Sequence, residues 1–271
     1  MRKTLFSLPA DVYKNRRLVM KLAKNDFKTR YAGSYFGTFW AFVQPIVTIM
    51  VYWFVFSVGF RQDTQGIGIP FVLYLVAGIV PWFFFQDALV GGTNALLEYN
   101  YLVKKVVFNI SVLPVVKILS ALFVHGFFVV FTIILYACYG RFPDWYYLQI
   151  LYYSFCVFVL TLGAVYVTCA VVVFFRDLTQ IINIGLQVGV WLTPIMWVAE
   201  NSLKGHPVIQ KILQLNPMYY IVSGYRDAFV MKRWFFERPL WTLYFWIIAA
   251  LCFLFGNWVF KRLRVHFADV L

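Results

Sequence analysis

The chain has 271 residues, of which 62% are hydrophobic, 21% aromatic and only 13% charged, with a mean hydropathy of +0.75. Soluble domains carry about 25% charged residues, so this composition excludes an ordinary soluble globule and predicts an integral membrane protein. The net charge of +13 does not point to nucleic acid, because nine of the 24 Lys and Arg residues precede the first apolar run; that placement suits an anionic membrane surface better than a duplex.

Residues 10–30 read as an amphipathic helix lying in the membrane interface. At 100° per residue, Leu18, Val19, Met20, Leu22, Ala23 and Phe27 share one arc, while Arg17, Lys21, Lys24 and Lys28 stripe the opposite face. The stripe serves as a positive anchor and leaves open the docking of a cytoplasmic partner. The stretch before Ala32 is too polar for the apolar region of a signal peptide, so the first span is expected to direct its own insertion.

No charged residue occurs between Arg30 and Arg61, and residues 35–60 form the first predicted span, bent near Pro45 and crowded with aromatic rings. The second, 69–97, carries Pro81 and a single acid, Asp87, expected near an interface or facing a cavity. A polar segment with Glu98, Lys104, Lys105 and Lys117 leads into the third, 113–139, where His125 reads as a hydrogen-bonded packing residue rather than a proton relay. The fourth, 146–175, ends at Arg176-Asp177.

A fifth span is predicted over 178–198, stalling at Thr193-Pro194, and a sixth over 240–260. Between them Pro207 and Pro217 open two pieces too short to cross, since a spanning helix needs about 20 residues, yet too apolar for an ordinary loop. They read as a hairpin over 207–229 that dips back into the membrane. Irregular backbone is tolerated at that depth only when buried in protein or lining a wet cavity. The expected fold is therefore an all-α membrane protein in one transmembrane domain: six transmembrane helices, an interface helix and a re-entrant hairpin. With the N-terminus inside, sixteen Lys and Arg residues fall on the inner side and eight on the outer, which places both termini in the cytoplasm.

The sequence lacks H-E-x-x-H, G-x-S-x-G and a G-x-x-x-x-G-K-[ST] phosphate loop, so no catalytic residue and no nucleotide cradle is assigned to this chain. Cys138, Cys156, Cys169 and Cys252 sit inside apolar runs without ligand spacing and read as small hydrophobes, not metal ligands. Aromatic rings recur within the spans, notably Tyr35, Phe36, Phe39, Trp40, Phe83, Phe84, Phe128 and Trp191. Their faces suit the C–H faces of sugars and tolerate lipid tails, which makes them candidates to line a path.

Four segments together resemble a known family, the membrane permease subunits of type-2 ABC exporters of lipid-linked polysaccharides, O antigens, capsules and wall teichoic acids. They are Arg30-Tyr-Ala-Gly-Ser-Tyr-Phe-Gly37 leading to Trp40-Ala-Phe-Val-Gln-Pro45; Lys104-Lys-Val-Val-Phe108 with Leu113-Pro114; Phe174-Phe-Arg-Asp177; and Leu215-Asn-Pro-Met-Tyr-Tyr220 with Gly224-Tyr-Arg-Asp227. Asn109-Ile110 departs from the family pattern, which has a proline and a basic residue there.

The resemblance implies a multi-pass protein of the plasma (inner) membrane. It implies a homodimer joined by two copies of a P-loop ATPase that binds ATP and magnesium, and a central channel for an undecaprenyl-diphosphate-linked polymer, among membrane lipids and without nucleic acid. It further implies ATPase coupling through Arg17, Lys21, Lys24, Lys28, Glu98, Lys104, Lys105, Arg176 and Asp177. An outer gate would be built from Pro207, Ile212, Asn216, Pro217, Tyr219, Tyr220, Tyr225 and Arg226. The stretch Thr193-Pro-Ile-Met-Trp197 with Asn216-Pro-Met-Tyr-Tyr-Ile-Val-Ser-Gly-Tyr-Arg-Asp227 resembles the teichoic-acid branch, and a basic outer rim would suit an anionic polymer, which favours a wall teichoic acid cargo; an O-antigen or capsular polysaccharide is the alternative. A membrane-embedded glycosyl- or phospho-transferase is a further alternative, which would require carboxylates to converge at one interface.

Overall fold

In a computed structural model the protein is described at residues 12–30, 32–59, 68–103, 109–199, 203 and 205–270. Among these residues every regular element is helical. In chain order they are α1 (Arg16–Thr29), α2 (Trp40–Trp53), α3 (Phe71–Thr93), the short α4 (Ala95–Glu98) and α5 (Asn100–Val103), α6 (Leu113–Cys138), α7 (Gln149–Val172), α8 (Leu178–Leu192), α9 (Pro207–Gln214), α10 (Pro217–Arg226), α11 (Pro239–Leu263) and α12 (Phe267–Val270). Five helical stretches are long and apolar enough to cross a membrane: Gly37–Gly59, Phe71–Thr93, Ile110–Cys138, Trp145–Val172 and Pro239–His266.

The centre is α3, whose residues from Leu73 to Val80 are all buried and which packs on α6, α7 and α10. A helix hydrophobic all round belongs inside a bundle, and its sequence, with few polar residues before Gln86, agrees. The pair α7 and α11 approach closely at Gly163 and Gly256: a Cβ on Gly163 would stand 2.7 Å from the Phe253 backbone nitrogen. Small residues let membrane helices touch backbone to backbone. In contrast α2 leaves Val47, Met50, Val51 and Trp53 exposed.

The predicted fifth span is corrected by the structure. Instead of running over 178–198, α8 stops at Leu192 after 15 residues. Thr193 turns extended, at φ −85° and ψ 123°, because the following Pro194 disfavours helical geometry in the residue before it. The irregular tail, Thr193 to Ala199, is buried apart from a half-buried Trp197. Arg226 supplies what its backbone lacks, donating Nη1 to the Pro194 carbonyl at 2.6 Å and Nη2 to the Ile195 carbonyl at 2.7 Å. Irregular backbone is thus satisfied by protein, as a low-dielectric setting demands.

The two proline-opened pieces form as helices, with bounds close to those expected, but they are unlike each other. In α9 the apolar residues Val208, Ile209 and Ile212 are exposed and Leu213 is half-buried. By contrast α10 is a core element against α3, α7 and α11, with Met218, Ile221, Val222 and Tyr225 buried. Asn216 caps it, its side chain accepting from the Met218 backbone N–H at 3.0 Å.

Candidate functional site

A cavity of about 480 Å³ lies between α2, α3, α6 and α8. Its polar lining includes Gln44 and Thr48 on α2, Gln86 and Asp87 on α3 and Asn183 and Gln187 on α8, with Tyr52 and His125. Residues four apart share a helix face, so the pairs of α2 and α8 each project to one side. Phe83, Phe84 and Phe128 supply ring surface to the same cavity. Side-chain amides donate and accept without carrying charge, so this lining matches a ligand rich in hydroxyls.

Asp87 is the one carboxylate in that lining, and it is neutralised. Arg30, just past the end of α1, donates Nη1 to Asp87 Oδ2 at 2.7 Å and to Oδ1 at 2.8 Å. The Arg30 guanidinium also stands 3.7 Å from Asp26 Oδ2. Asp26 in turn receives Lys117 of α6 at 2.6 Å and the Tyr99 hydroxyl at 2.8 Å, and Lys117 also bonds Glu98. One connected charge network therefore runs from the interface helix to the cavity wall. Burial alone would raise the Asp26 carboxyl, but the Lys117 hydrogen bond and charge, with Ser120 and Tyr99, hold it below the ordinary carboxylate value. For Tyr99, burial and the bond to Asp26 push the phenol up, keeping it a donor.

On the other side of the cavity, His125 is fully enclosed and its Nε2 meets the Tyr225 hydroxyl at 2.9 Å and Ser154 Oγ at 3.1 Å. The packing reading of His125 agrees with this arrangement, although its partners come from α7 and α10 rather than from its own helix. Tyr220 of α10 hydrogen-bonds Tyr152 at 3.1 Å and Thr242 at 3.0 Å, and stacks on Phe245.

The other residues singled out by sequence scatter more widely. Arg17, Lys21, Lys24 and Lys28 form an exposed stripe on α1. Arg176 and Asp177 are exposed in the turn between α7 and α8, and Glu98 is half-spent on Lys117. Lys104 and Lys105 lie outside the described residues. Of the candidate path aromatics, Phe83, Phe84 and Phe128 line the cavity. Tyr35, Phe36, Phe39 and Trp40 form an exposed ring cluster before and at the start of α2, and Trp191 is exposed beside Phe56. Of the hairpin residues, Pro207 and Ile212 are exposed and Pro217 is half-buried, while Tyr219, Tyr220, Tyr225 and Arg226 are buried. Asn216 reaches back to Thr193 Oγ1 at 2.9 Å. Arg226 is therefore a backbone clamp inside the bundle and not a rim charge.

Asp26, Tyr99, Gln44, Gln86, Asn183 and Gln187 escaped the sequence reading. Two signals were present: Asp26 falls on the stripe of Val19 and Ala23, and amides recur four apart within otherwise apolar runs.

The profile of the family described as "ABC-2 type transporter" matches residues 17–230. The chain is 26% identical over 265 residues to the O-antigen export system permease protein RfbA of Myxococcus xanthus, covering 98% of this chain and 99% of that one. It is 25% identical over 261 residues to the protein of the same name from Klebsiella pneumoniae, covering 94% and 95%.

Proposed function

Because the chain belongs to the ABC-2 type transporter family, we propose that it is the membrane-spanning subunit of an ATP-driven exporter of a lipid-linked polysaccharide of the O-antigen kind. The observation that carries this cargo class is the cavity between α2, α3, α6 and α8, lined by uncharged amides and ring faces, with its one carboxylate held by Arg30. A poly(polyol phosphate) would set a repeating negative charge beside Asp87 with no unpaired cation in the described lining to receive it. A neutral glycan meets donors and acceptors there and incurs little charge desolvation. The names of the relatives agree with the glycan, and they favour it over the wall teichoic acid expected from the 193–197 stretch.

In this reading two copies of the chain enclose the path, with α2 and α8 meeting across it, since both leave long apolar faces exposed. Two copies of a separate ATPase, carrying ATP and magnesium, engage the basic stripe of α1 and the Arg176-Asp177 turn from the cytoplasm, and the glycan rides on an undecaprenyl diphosphate carrier through the plasma membrane. Motion of α1 is transmitted to the cavity wall by Arg30. Against the transferase alternative, the acids that converge among the described residues do so on a cation, Asp26 and Glu98 on Lys117 and Asp26 and Asp87 on Arg30, which leaves no free pair for acid–base work, and Asp177 is exposed in a turn.

Deletion of the gene in its host, followed by analysis of the glycolipid pool, tests the proposal. The expected result is loss of surface polysaccharide with accumulation of a lipid-linked, phosphate-poor polymer inside. Normal surface polymer, or an accumulated polymer with phosphate in every repeat, would overturn it.

A further inference from the structure

A second cavity, also about 480 Å³, shares no lining residue with the first. On α3, Tyr74 lines it and Ile79 to Val90 contribute to the first, the nearest of these being about 8 Å farther along the helix axis. Its lining has three cations, Arg226, Arg233 and Arg238, against one acid, Asp227. The Arg226 guanidinium lies 3.6 Å over the Tyr74 ring while its nitrogens hold the Pro194 and Ile195 carbonyls. Gly78 makes room for it, since a Cβ there would stand 2.8 Å from Arg226 Nη2. Arg226 thus leaves a fixed positive charge behind the cavity wall. Arg238 reaches Asp227 at 3.2 Å, and Arg233 is exposed.

Aromatic rings share the lining with these charges. Trp241 and Tyr219 line the cavity with ring centroids 5.8 Å apart, and Ser223 and Gln214 contribute hydroxyl and amide. A net positive cavity with a planar guanidinium fork open to it attracts an anion that presents two oxygens to that fork, as a phosphate ester does. Flat rings beside it offer a face for an apolar C–H surface, and the Asp227 carboxylate accepts hydroxyls. Neither half explains the other. Only a ligand carrying both a phosphate and a hydroxylated ring uses the whole lining.

We propose that this cavity is a binding site for a phosphorylated sugar, its phosphate on Arg233 and Arg238 and its ring against Trp241. The site is separate from the neutral cavity that carries the transport reading, and the proposal does not depend on that reading. The phosphate source is either a soluble sugar phosphate or the headgroup of a membrane glycolipid or phospholipid.

The test is equilibrium binding of glucose 1-phosphate, glucose and inorganic phosphate to the full chain purified in detergent. Glucose 1-phosphate is expected to bind saturably and more tightly than either fragment. R233Q should weaken glucose 1-phosphate and phosphate about tenfold, and because Arg233 is exposed this variant keeps the fold even if R238Q does not. W241A should weaken glucose 1-phosphate while leaving inorganic phosphate unchanged. In nanodiscs, competition by phosphatidylglycerol that R233Q abolishes assigns the site to a headgroup, and absence of competition assigns it to a soluble ester; both outcomes support the site. Failure of glucose 1-phosphate to saturate, or equal affinity in wild type and R233Q, would overturn it.

Discussion

Lys117 of α6 holds Asp26 of α1 at 2.6 Å, with both side chains more than nine-tenths buried. An interface helix is normally held by apolar area and headgroup charge; here a cation and an anion sealed in the protein add a specific bond.

Removing one member of a buried pair strands the other, which costs about 3–5 kcal/mol, whereas replacing both by apolar residues is often neutral. D26A leaves Lys117 only the more exposed Glu98 and is expected to loosen α1, lowering the thermal midpoint in detergent and speeding proteolysis at Arg17 to Lys28. The double change D26L/K117M should recover most of the loss. If D26A and D26L/K117M were equally damaged, the pair would not be what holds the helix.

The same pair sets a pH dependence. The Asp26 carboxyl in the folded protein lies below its ordinary value of 3.8, so its contribution is fully present above that value and is lost as pH falls through the lower, folded value. Stability measured against pH should drop below about pH 4, and this part of the drop should vanish in D26L/K117M. A drop of equal size in that variant would place the acid sensitivity elsewhere.

Arg30 and Asp87 act differently. The Asp87 side chain is 42% exposed, so in this more solvated place the pair contributes about 1 kcal/mol or less to stability. D87N and R30Q are expected to leave melting nearly unchanged and to cut polymer export several-fold while the partner ATPase still associates. Charge reversal, R30D/D87R, should restore part of the export. Full export in both single variants would disconnect the network from transport.

Arg226 clamps two carbonyls in the tail that follows α8. R226M leaves Pro194 and Ile195 oxygens buried without a donor, each costing about 1–3 kcal/mol, and should lower the thermal midpoint more than any hairpin surface change such as I212A. R226K keeps the charge but lacks the fork that reaches both oxygens, so it should fall between the two. A wild-type midpoint for R226M would show that the tail does not need the clamp.

Much of the helical layout was legible because it follows local rules. Apolar runs bounded by charge gave the long helices, and Pro207 and Pro217 marked the starts of α9 and α10 to the residue. Pro194 gave the stall, but not where the freed backbone would turn. That answer lay in Arg226, 31 or 32 residues downstream, whose charge alone suggested a rim. Likewise Asp87 was legible as costly, and its partner Arg30, 57 residues away, was not, since no local pattern specifies which distant helix an intramembrane acid will meet. Aromatic abundance alone does not discriminate: a ring is as well suited to lipid or core as to sugar. Composition therefore could not separate Phe83, Phe84 and Phe128, which line the first cavity, from Tyr35 and Trp191, which lie exposed outside it, whereas the amides at Gln44, Gln86, Asn183 and Gln187 stand out within apolar runs.

The central claim is that a hydroxyl-rich polymer passes the cavity lined by these amides. Photo-cross-linkers placed at Gln86 and Gln187, in actively exporting cells, test it most directly, with the outward-facing Phe155 of α7 as the control. Glycan adducts at 86 and 187 and none at 155 are the predicted result; export proceeding normally with no glycan adduct at 86 or 187 would contradict the account.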